Sequence, residues 1–232
     1  MEWYEELDFD ENPLEIETKY IGNDDVLDET FYSIVSGNIL IIQGQSGSGK
    51  TKVLKEVVRK FGGHGKVAYV NCEKFRNDLN VEHVITKKNG ILGFLFKKQP
   101  KKMVLLLDNV EHLSPRNLER IKYFFDRNHL RAVIIATKDF DALNFGDSVK
   151  QRVRKVIKLD KLSPYEAVQV VRDRLGNDLL SDRVIKKAYE RADGNMKMFL
   201  TNCEDVCKVY VTDKSKELTE EDVETILARE EK

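Results

Sequence analysis

The sequence predicts an α/β fold, in which a five-stranded parallel sheet has helices on both faces and is followed by a small all-helical domain. Three observations predict this fold. Five short apolar runs, rich in β-branched residues, alternate with helical patterns, which is typical of parallel β-α-β units. A glycine-rich run joins the first predicted strand to the next helix. After Leu159 the β-branched runs largely stop and the pattern becomes helical.

The five apolar runs are the predicted strands of the sheet. They cover residues 39–43, 67–71, 103–107, 132–136 and 155–159. A helix is predicted between the third and fourth strands, starting at Ser114 and carrying Pro115 in its first turn. Its apolar residues recur at helical spacing and predict a face that packs on the core, namely Leu118, Ile121, Phe124 and Phe125.

The helical domain is predicted to open at Ser163. Residues 163–166 form a capping-box sequence with proline at the first helical position. Further helices are predicted over 181–192 and 196–211, and a last one begins after Thr219, where three acidic residues suit the positive end of the helix dipole. We therefore expect an α/β core in residues 1–160 and a helical domain in residues 161–232.

Composition bounds the class of protein. The 232 residues carry a net charge of -1, although 34% of them are charged. This charge balance neither requires a nucleic-acid partner nor excludes a local basic patch. The cysteines at 72, 203 and 207 lack paired metal-binding spacing, which favours a reducing compartment. The N-terminus is acidic, and no apolar run approaches the roughly 18 residues of a membrane span. We expect a cytoplasmic protein without membrane insertion.

The glycine-rich run is a candidate phosphate-binding loop (P-loop, or Walker A motif). It fits the pattern G-x-x-x-x-G-K-[ST] and reads Gly44, Gln45, Ser46, Gly47, Ser48, Gly49, Lys50 and Thr51. Such a loop points successive backbone N–H groups at phosphate oxygens, and the following helix adds its positive end. Lys50 would reach the β- and γ-phosphates, and Thr51 would hold Mg²⁺ through its hydroxyl. These residues predict a nucleoside triphosphate site.

A second acidic element completes the predicted metal site. Asp108 follows the apolar strand 103–107 and lies at a suitable distance along the chain to orient Mg²⁺ as a Walker B carboxylate. A strand-terminal aspartate could instead only cap the following turn. Together with Lys50 and Thr51, it predicts a site for a triphosphate and Mg²⁺.

With these two Walker elements the chain resembles the AAA+ ATPases. It is most similar to the group that contains the archaeal and eukaryotic replication initiators and the related secretion and transposition ATPases. The resemblance extends over nearly the whole chain, through residues 9–13, 20–23, 67–72, 162–165 and 194–197. It implies a five-stranded P-loop sheet, a helical lid domain, and an N-terminal segment in residues 1–36 that packs on adenine through Tyr20 and Ile21. The resemblance includes no winged-helix domain.

The resemblance also implies roles for three further residues. Thr137, at the end of the fourth strand, would be the polar sensor of the γ-phosphate, or simply a hydroxyl that ends a strand. Arg152 matches the arginine finger that serves a neighbouring subunit, with Arg154 in reserve, although a solvated edge strand would also explain this basic stretch. Lys197 stands where the family usually has an arginine that reaches the γ-phosphate from the lid, and lysine lacks the bidentate fork.

The most telling departure from the family pattern follows Asp108. Asn109 follows Asp108 where the family has a glutamate that polarises the attacking water, and an amide cannot accept that proton. Glu111 is the nearest replacement, unless it is a loop carboxylate that faces solvent. The sequence therefore predicts an ATP-binding switch with weak intrinsic hydrolysis.

The resemblance implies an ATPase that uses ATP to assemble or remodel a DNA-associated complex of the replication or recombination type. Self-association through the ATP site is expected. A basic cluster precedes the third strand and could contact DNA phosphates or form a solvated turn, and it consists of Lys97, Lys98, Lys101 and Lys102. Two other classes remain open, namely a regulatory or adaptor ATPase that acts on protein partners and a nucleotide-locked interaction module without appreciable catalysis.

Overall fold

The computed structural model describes residues 2–62, 66–75, 79–88, 101–143, 145–176, 179–212 and 217–230. The chain divides into two compact units. An α/β unit comprises the described residues of Asn23–Asp160, and a helical unit comprises those of Met1–Gly22 and Lys161–Lys232. Within the described ranges, none of the helices is long and apolar enough to cross a membrane.

The α/β unit contains the predicted five-stranded parallel sheet. Its strands are β1 (Ile39–Gln43), β2 (Val67–Asn71), β3 (Met103–Asp108), β4 (Leu130–Thr137) and β5 (Val153–Lys158). The spatial order is β2-β3-β4-β1-β5, and all neighbouring strands are parallel. The start of β5 differs from the predicted one, because residues 153–158 form an exposed edge strand whose charged side chains hide the strand pattern.

Helices surround this sheet. They are α1 (Asp24–Ser36), α2 (Lys50–Phe61), α3 (Val81–Lys88), α4 (Pro115–Asp126) and the short α5 (Asp147–Lys150). One core cluster joins alternate strand residues such as Ile39 and Ile41 to apolar side chains of α3 and α4. The intervening strand residues, such as Leu40 and Ile42, are fully buried on the opposite face. The predicted helix with Pro115 in its first turn is present as α4, and Ser114 Oγ caps it by accepting a hydrogen bond from the backbone N–H of Asn117 at 3.3 Å.

The helical unit has its own hydrophobic core. Its helices are α6 (Pro164–Leu175), α7 (Asp182–Arg191), α8 (Met196–Thr212) and α9 (Glu220–Glu230). The predicted capping box at the start of α6 is confirmed, because Ser163 and Glu166 each accept a hydrogen bond from the other's backbone N–H. Phe199 of α8 is 0% exposed and stacks edge-on with Tyr189 of α7.

The N-terminal residues differ from the expected arrangement. The sequence-based division put residues 1–36 with the nucleotide-binding core, whereas those up to Gly22 cluster with the helical unit. The physical reason is apolar burial, because Trp3 and Leu14 are members of the helical core. Arg174 of α6 adds a hydrogen bond, since its Nη1 donates to the Leu14 carbonyl at 2.9 Å. The division into functional domains at residue 160 stays a prediction.

Candidate nucleotide-binding site

The sheet order brings the predicted Walker elements of the α/β unit to one edge. The P-loop follows β1, Thr137 ends β4 and Asp108 ends β3. Because the strands are parallel, their carboxyl ends lie at the same edge, and β4 separates β1 from β3. The backbone N–H of Gly44 donates to the carbonyl of Thr137 at 3.1 Å, which joins the start of the P-loop to the end of β4.

Two glycines give the loop its shape. Gly49 has φ 94° immediately before α2, a left-handed backbone that other residues rarely adopt. Gly44 is needed for close approach, since a Cβ there would lie 2.6 Å from Ser48 Oγ and 3.3 Å from the carbonyl oxygen of Leu159. Gln45 and Ser46 are exposed at the tip of the loop, and Gly47 has φ 77°. The loop therefore makes a tight turn between β1 and α2.

Lys50 lies inside this loop. Its side chain is buried, and Nζ donates to the carbonyl oxygens of Gly44 at 2.6 Å and Gln45 at 2.7 Å. Burial lowers the pKa of the Lys50 ammonium, while the negative charges of Glu111 and Asp108 oppose that shift. The ammonium is therefore held where a phosphate bound by the loop would meet it.

Asp108 is the centre of a hydrogen-bonded cluster. It is 1% exposed, and its Oδ2 accepts hydrogen bonds from the hydroxyls of Thr51 at 2.7 Å and Tyr69 at 2.9 Å. Its Oδ1 accepts from the backbone N–H of Asn109 at 3.1 Å. Burial and the neighbouring Asp108 raise the pKa of Tyr69, so its hydroxyl remains a donor. The contact between Thr51 and Asp108 links the first turn of α2 to the end of β3.

Asn109 turns the chain away from β3. It has φ 53°, in the left-handed region that asparagine tolerates better than most residues. Its side-chain Nδ2 donates to Oδ1 of Asn71, at the end of β2, over 3.3 Å. The amide that replaces the family's glutamate therefore takes part in a structural contact with the neighbouring strand.

Glu111 and Thr137 are in direct contact. Glu111 lies in a 3-10 helix over Val110–His112, and its Oε1 accepts a hydrogen bond from Thr137 Oγ1 at 2.9 Å. The backbone N–H of Lys138 donates to the same oxygen. Glu111 is solvent-exposed, and its carboxylate is anchored at the end of β4, while its role as a general base stays a prediction.

Arg152 lies at the amino ends of the parallel strands, opposite the P-loop. It precedes β5 directly and pairs with Asp126 at the end of α4, through contacts of 3.1 Å from Nε and 3.4 Å from Nη2. Hydrogen bonding to Arg152 lowers the pKa of the Asp126 carboxyl. Within the α/β unit, Arg152 is thus remote from Lys50, and Arg154 is exposed on the edge strand.

Three of the remaining predicted residues belong to the helical unit. Lys197 is exposed in the first turn of α8, where its backbone N–H donates to Asn195 Oδ1 at 3.1 Å. Tyr20 and Ile21 are half-buried in the helical unit. Of the basic cluster, Lys101 and Lys102 are exposed, and Lys97 and Lys98 lie outside the described residues. The roles given to these residues stay predictions.

The side chains of the P-loop edge fit a triphosphate and Mg²⁺. Ser48 Oγ is buried and has no hydrogen-bond partner within the described ranges, which leaves a donor for an anion. Thr51 and Asp108 supply hydroxyl and carboxylate oxygens, the ligand types that Mg²⁺ prefers. A Cβ at Gly44 would fill the space inside the loop.

Two residues of this cluster were missed by the sequence analysis. Tyr69 and Asn71 alternate along β2, and each contacts the end of β3. The available signal was a strand that carries a hydroxyl and an amide at every second position. That signal has meaning only when β2 is known to be the neighbour of β3, in a register that pairs Asn71 with Asp108.

Comparison with known proteins agrees with this architecture. An ABC transporter ATP-binding protein of Methanocaldococcus jannaschii, described as uncharacterised, is 25% identical over 147 residues. The match covers 55% of each chain, so this chain spans about half the length of that relative.

Several solved structures share the fold. The Aeropyrum pernix ORC1 protein in complex with DNA has a TM-score of 0.74 at 14% identity, over 94% of this chain and 69% of that one. Cdc6p from Pyrobaculum aerophilum gives 0.72 at 15%, over 95% and 71%. The Thermotoga maritima RuvB Holliday junction branch migration motor gives 0.67 at 12%, over 94% and 73%. At these identities the likeness shows the fold alone.

The family itself is shown by a sequence profile. The profile of the AAA domain family matches residues 36–168, which is more than half of the 232-residue chain. The matched range contains the P-loop, Asp108, Glu111 and Thr137. The chain therefore belongs to the AAA domain family and has the AAA+ P-loop fold.

Proposed function

We propose that this chain is an ATPase that binds ATP with Mg²⁺ at the P-loop edge and hydrolyses it slowly. The observation that carries the proposal is the hydrogen bond between Thr51 and Asp108, which joins the loop to the acidic strand end at 2.7 Å. Lys50, enclosed by the loop carbonyls, adds a positive charge beside it. Few sites need a buried ammonium, a hydroxyl and a buried carboxylate together unless they hold a metal-bound phosphate.

The loop and α2 would bind the phosphates. Backbone N–H groups between Gly44 and Thr51 offer donors, and the N-terminus of α2 adds its positive partial charge. Lys50 would exchange its carbonyl partners for phosphate oxygens, which accept stronger, charge-assisted hydrogen bonds. Ser48 Oγ would supply a further donor.

Thr51 and Asp108 would hold Mg²⁺ through their oxygens. When bound, that ion would neutralise phosphate charge and polarise the bond that breaks. Two hydroxyl groups and one backbone N–H donate to the Asp108 carboxylate and fix its orientation, so little reorganisation is needed when a ligand binds.

Glu111 would be the general base. Its carboxylate can accept a proton from a water molecule, whereas the Asn109 amide cannot. The hydroxyl of Thr137 and the backbone N–H of Lys138 both donate to Glu111 Oε1, which leaves Oε2 as the oxygen for the water. Because Asn109 replaces the glutamate that the family carries next to Asp108, turnover is expected to be slow.

Arg152 would complete the site of a neighbouring copy. An arginine at the opposite edge of its own sheet is suited to reach another subunit, and its exposed pair with Asp126 is weak enough to be exchanged. The resemblance to the AAA+ ATPases further implies that Lys197 acts on the γ-phosphate and that Tyr20 and Ile21 pack on adenine. Subunit contacts would then depend on bound ATP.

The process served by this ATPase is proposed to be assembly or remodelling of a DNA-associated complex. Support comes from the fold shared with an ORC1 protein in complex with DNA and with a branch migration motor. The net charge of -1 equally suits an adaptor ATPase that acts on protein partners, which is the second candidate. A nucleotide-locked interaction module is the third.

Removing the Lys50 ammonium should abolish tight nucleotide binding. For Lys50→Ala we expect the affinity for a fluorescent ATP analogue to fall by roughly 100-fold, because charge-assisted hydrogen bonds of about 3 kcal/mol are lost. Lys55→Ala is the matched control, since Lys55 is exposed on the same helix. Unchanged affinity in Lys50→Ala, or no saturable binding in the unaltered protein, would contradict the proposed site.

Glu111→Gln should separate binding from hydrolysis. The amide keeps an oxygen for Thr137 but cannot take a proton, so phosphate release should fall by about 100-fold while ATP affinity changes little. Glu73→Gln, an exposed change on the 3-10 helix after β2, should leave the rate unchanged. An unaltered rate for Glu111→Gln would remove Glu111 from the mechanism.

Specific ATPase activity should rise with protein concentration, because Arg152 acts in trans. Arg152→Ala should lower that activity by at least about 10-fold. Asp126→Asn, which removes the partner carboxylate but keeps the arginine, should retain the rise. A measurable but concentration-independent rate in the unaltered protein would count against Arg152.

The protein should bind DNA in the presence of ATP, and added salt should weaken that binding. Binding to duplex DNA is expected to weaken steeply between low and physiological salt, since phosphate contacts release counterions. Phosphate release with and without DNA should differ. ATP turnover without salt-sensitive DNA binding would favour the adaptor ATPase, and saturable nucleotide binding without turnover would favour the interaction module.

A further inference from the structure

Tyr69 contacts the candidate metal-binding carboxylate from a neighbouring strand. Its hydroxyl donates to Asp108 Oδ2 at 2.9 Å, and Thr51 donates to the same oxygen at 2.7 Å. The backbone N–H of Asn109 holds the other oxygen, Oδ1. Both oxygens of a carboxylate that is 1% exposed are thus restrained. The terminal torsion of an aspartate is otherwise broad, so these donors set its direction.

We infer that Tyr69 is a positioning residue that orients Asp108 toward the Mg²⁺ of a bound nucleotide. The inference rests on the proposed function, because it assigns a role within the same site. Tyr69 would act through Asp108, the carboxylate to which its hydroxyl donates.

The two hydroxyl donors differ in the elements that carry them. Thr51 belongs to the first turn of α2 and moves with the P-loop, whereas Tyr69 belongs to β2. Strand β2 pairs with β3 in a fixed register, with Tyr69 opposite Leu106 and Asn71 opposite Asp108. The hydroxyl of Tyr69 is therefore carried by the sheet and not by the loop, so it would keep the direction of Asp108 when the loop accepts a ligand.

The surroundings of Tyr69 support a specific role for its hydroxyl. The residue is half-buried, and its neighbours Ala68 and Val70 point into the core on the other face of β2. A phenylalanine would fill the same volume on this face without the hydrogen bond. Groups that hydrogen-bond to metal ligands typically change metal affinity by about 10- to 100-fold when they are removed.

The test compares nucleotide affinity with and without metal. A fluorescent ATP analogue is titrated into the full chain in the presence of Mg²⁺ and in the presence of EDTA. For Tyr69→Phe we expect the gain in affinity caused by Mg²⁺ to fall by about 10-fold, with the EDTA affinity unchanged. Tyr69→Met, which also lacks a hydroxyl, should give the same loss in case one variant folds poorly.

A matched control separates positioning from stability. Tyr189→Phe removes a hydroxyl that donates to the Leu162 carbonyl at 2.7 Å in the helical unit. This variant should lower the thermal midpoint without changing the effect of Mg²⁺. If the Tyr69 variants lower both affinities equally, or change only the thermal midpoint, Tyr69 is merely structural and the inference is overturned.

A double-mutant cycle tests whether Tyr69 acts through Asp108. In an Asp108→Asn background, Tyr69→Phe should change the gain in affinity caused by Mg²⁺ by less than about 2-fold, because the carboxylate that Tyr69 orients has been replaced. Fully additive losses would overturn the inference. If the unaltered protein does not bind the nucleotide, the proposed function is overturned and this inference with it. If the protein binds the nucleotide and Lys50→Ala weakens that binding, but Tyr69→Phe leaves the effect of Mg²⁺ unaltered, the inference alone is overturned.

Discussion

The buried negative charge of Asp108 is the constraint on which the candidate site depends. A carboxylate removed from water costs several kcal/mol unless hydrogen bonds and an opposite charge replace its hydration. Here the replacements are the hydroxyls of Thr51 and Tyr69, the backbone N–H of Asn109 and the nearby charge of Lys50. They come from α2, β2 and the turn after β3. The sheet order, by placing these elements side by side, is what makes a buried carboxylate tolerable.

The same balance explains why a metal ion belongs to the proposed site. Lys50 is the cation enclosed by the loop, and it already faces the negative charges of Asp108 and Glu111. A triphosphate would add negative charge next to both carboxylates, and one buried ammonium cannot offset the whole of it. Mg²⁺ held by Thr51 and Asp108 would offset that repulsion, so nucleotide and metal are expected to bind together.

Local patterns predicted much of the fold and part of the site. The P-loop, the strand that ends in Asp108 and the cap at Ser163 are defined by adjacent residues, so sequence alone found them. Tyr69 was missed because its contact with Asp108 depends on which strands are neighbours. The N-terminal segment was assigned to the α/β core because nothing local distinguishes burial of Trp3 and Leu14 in one core from burial in another. Such contacts are set by tertiary packing, which periodicity does not encode.

In the proposed function, Glu111 would supply the carboxylate that is absent at Asn109. Its left-handed backbone and its amide contact with Asn71 turn the chain sharply after β3. That turn starts the 3-10 helix that carries Glu111 to Thr137 at the end of β4. A glutamate at 109 would have to adopt the same strained backbone beside the carboxylate of Asp108, with repulsion between like charges. Asparagine tolerates this backbone better and adds no charge, so in the proposed function position 109 would shape the turn and Glu111 would supply the carboxylate.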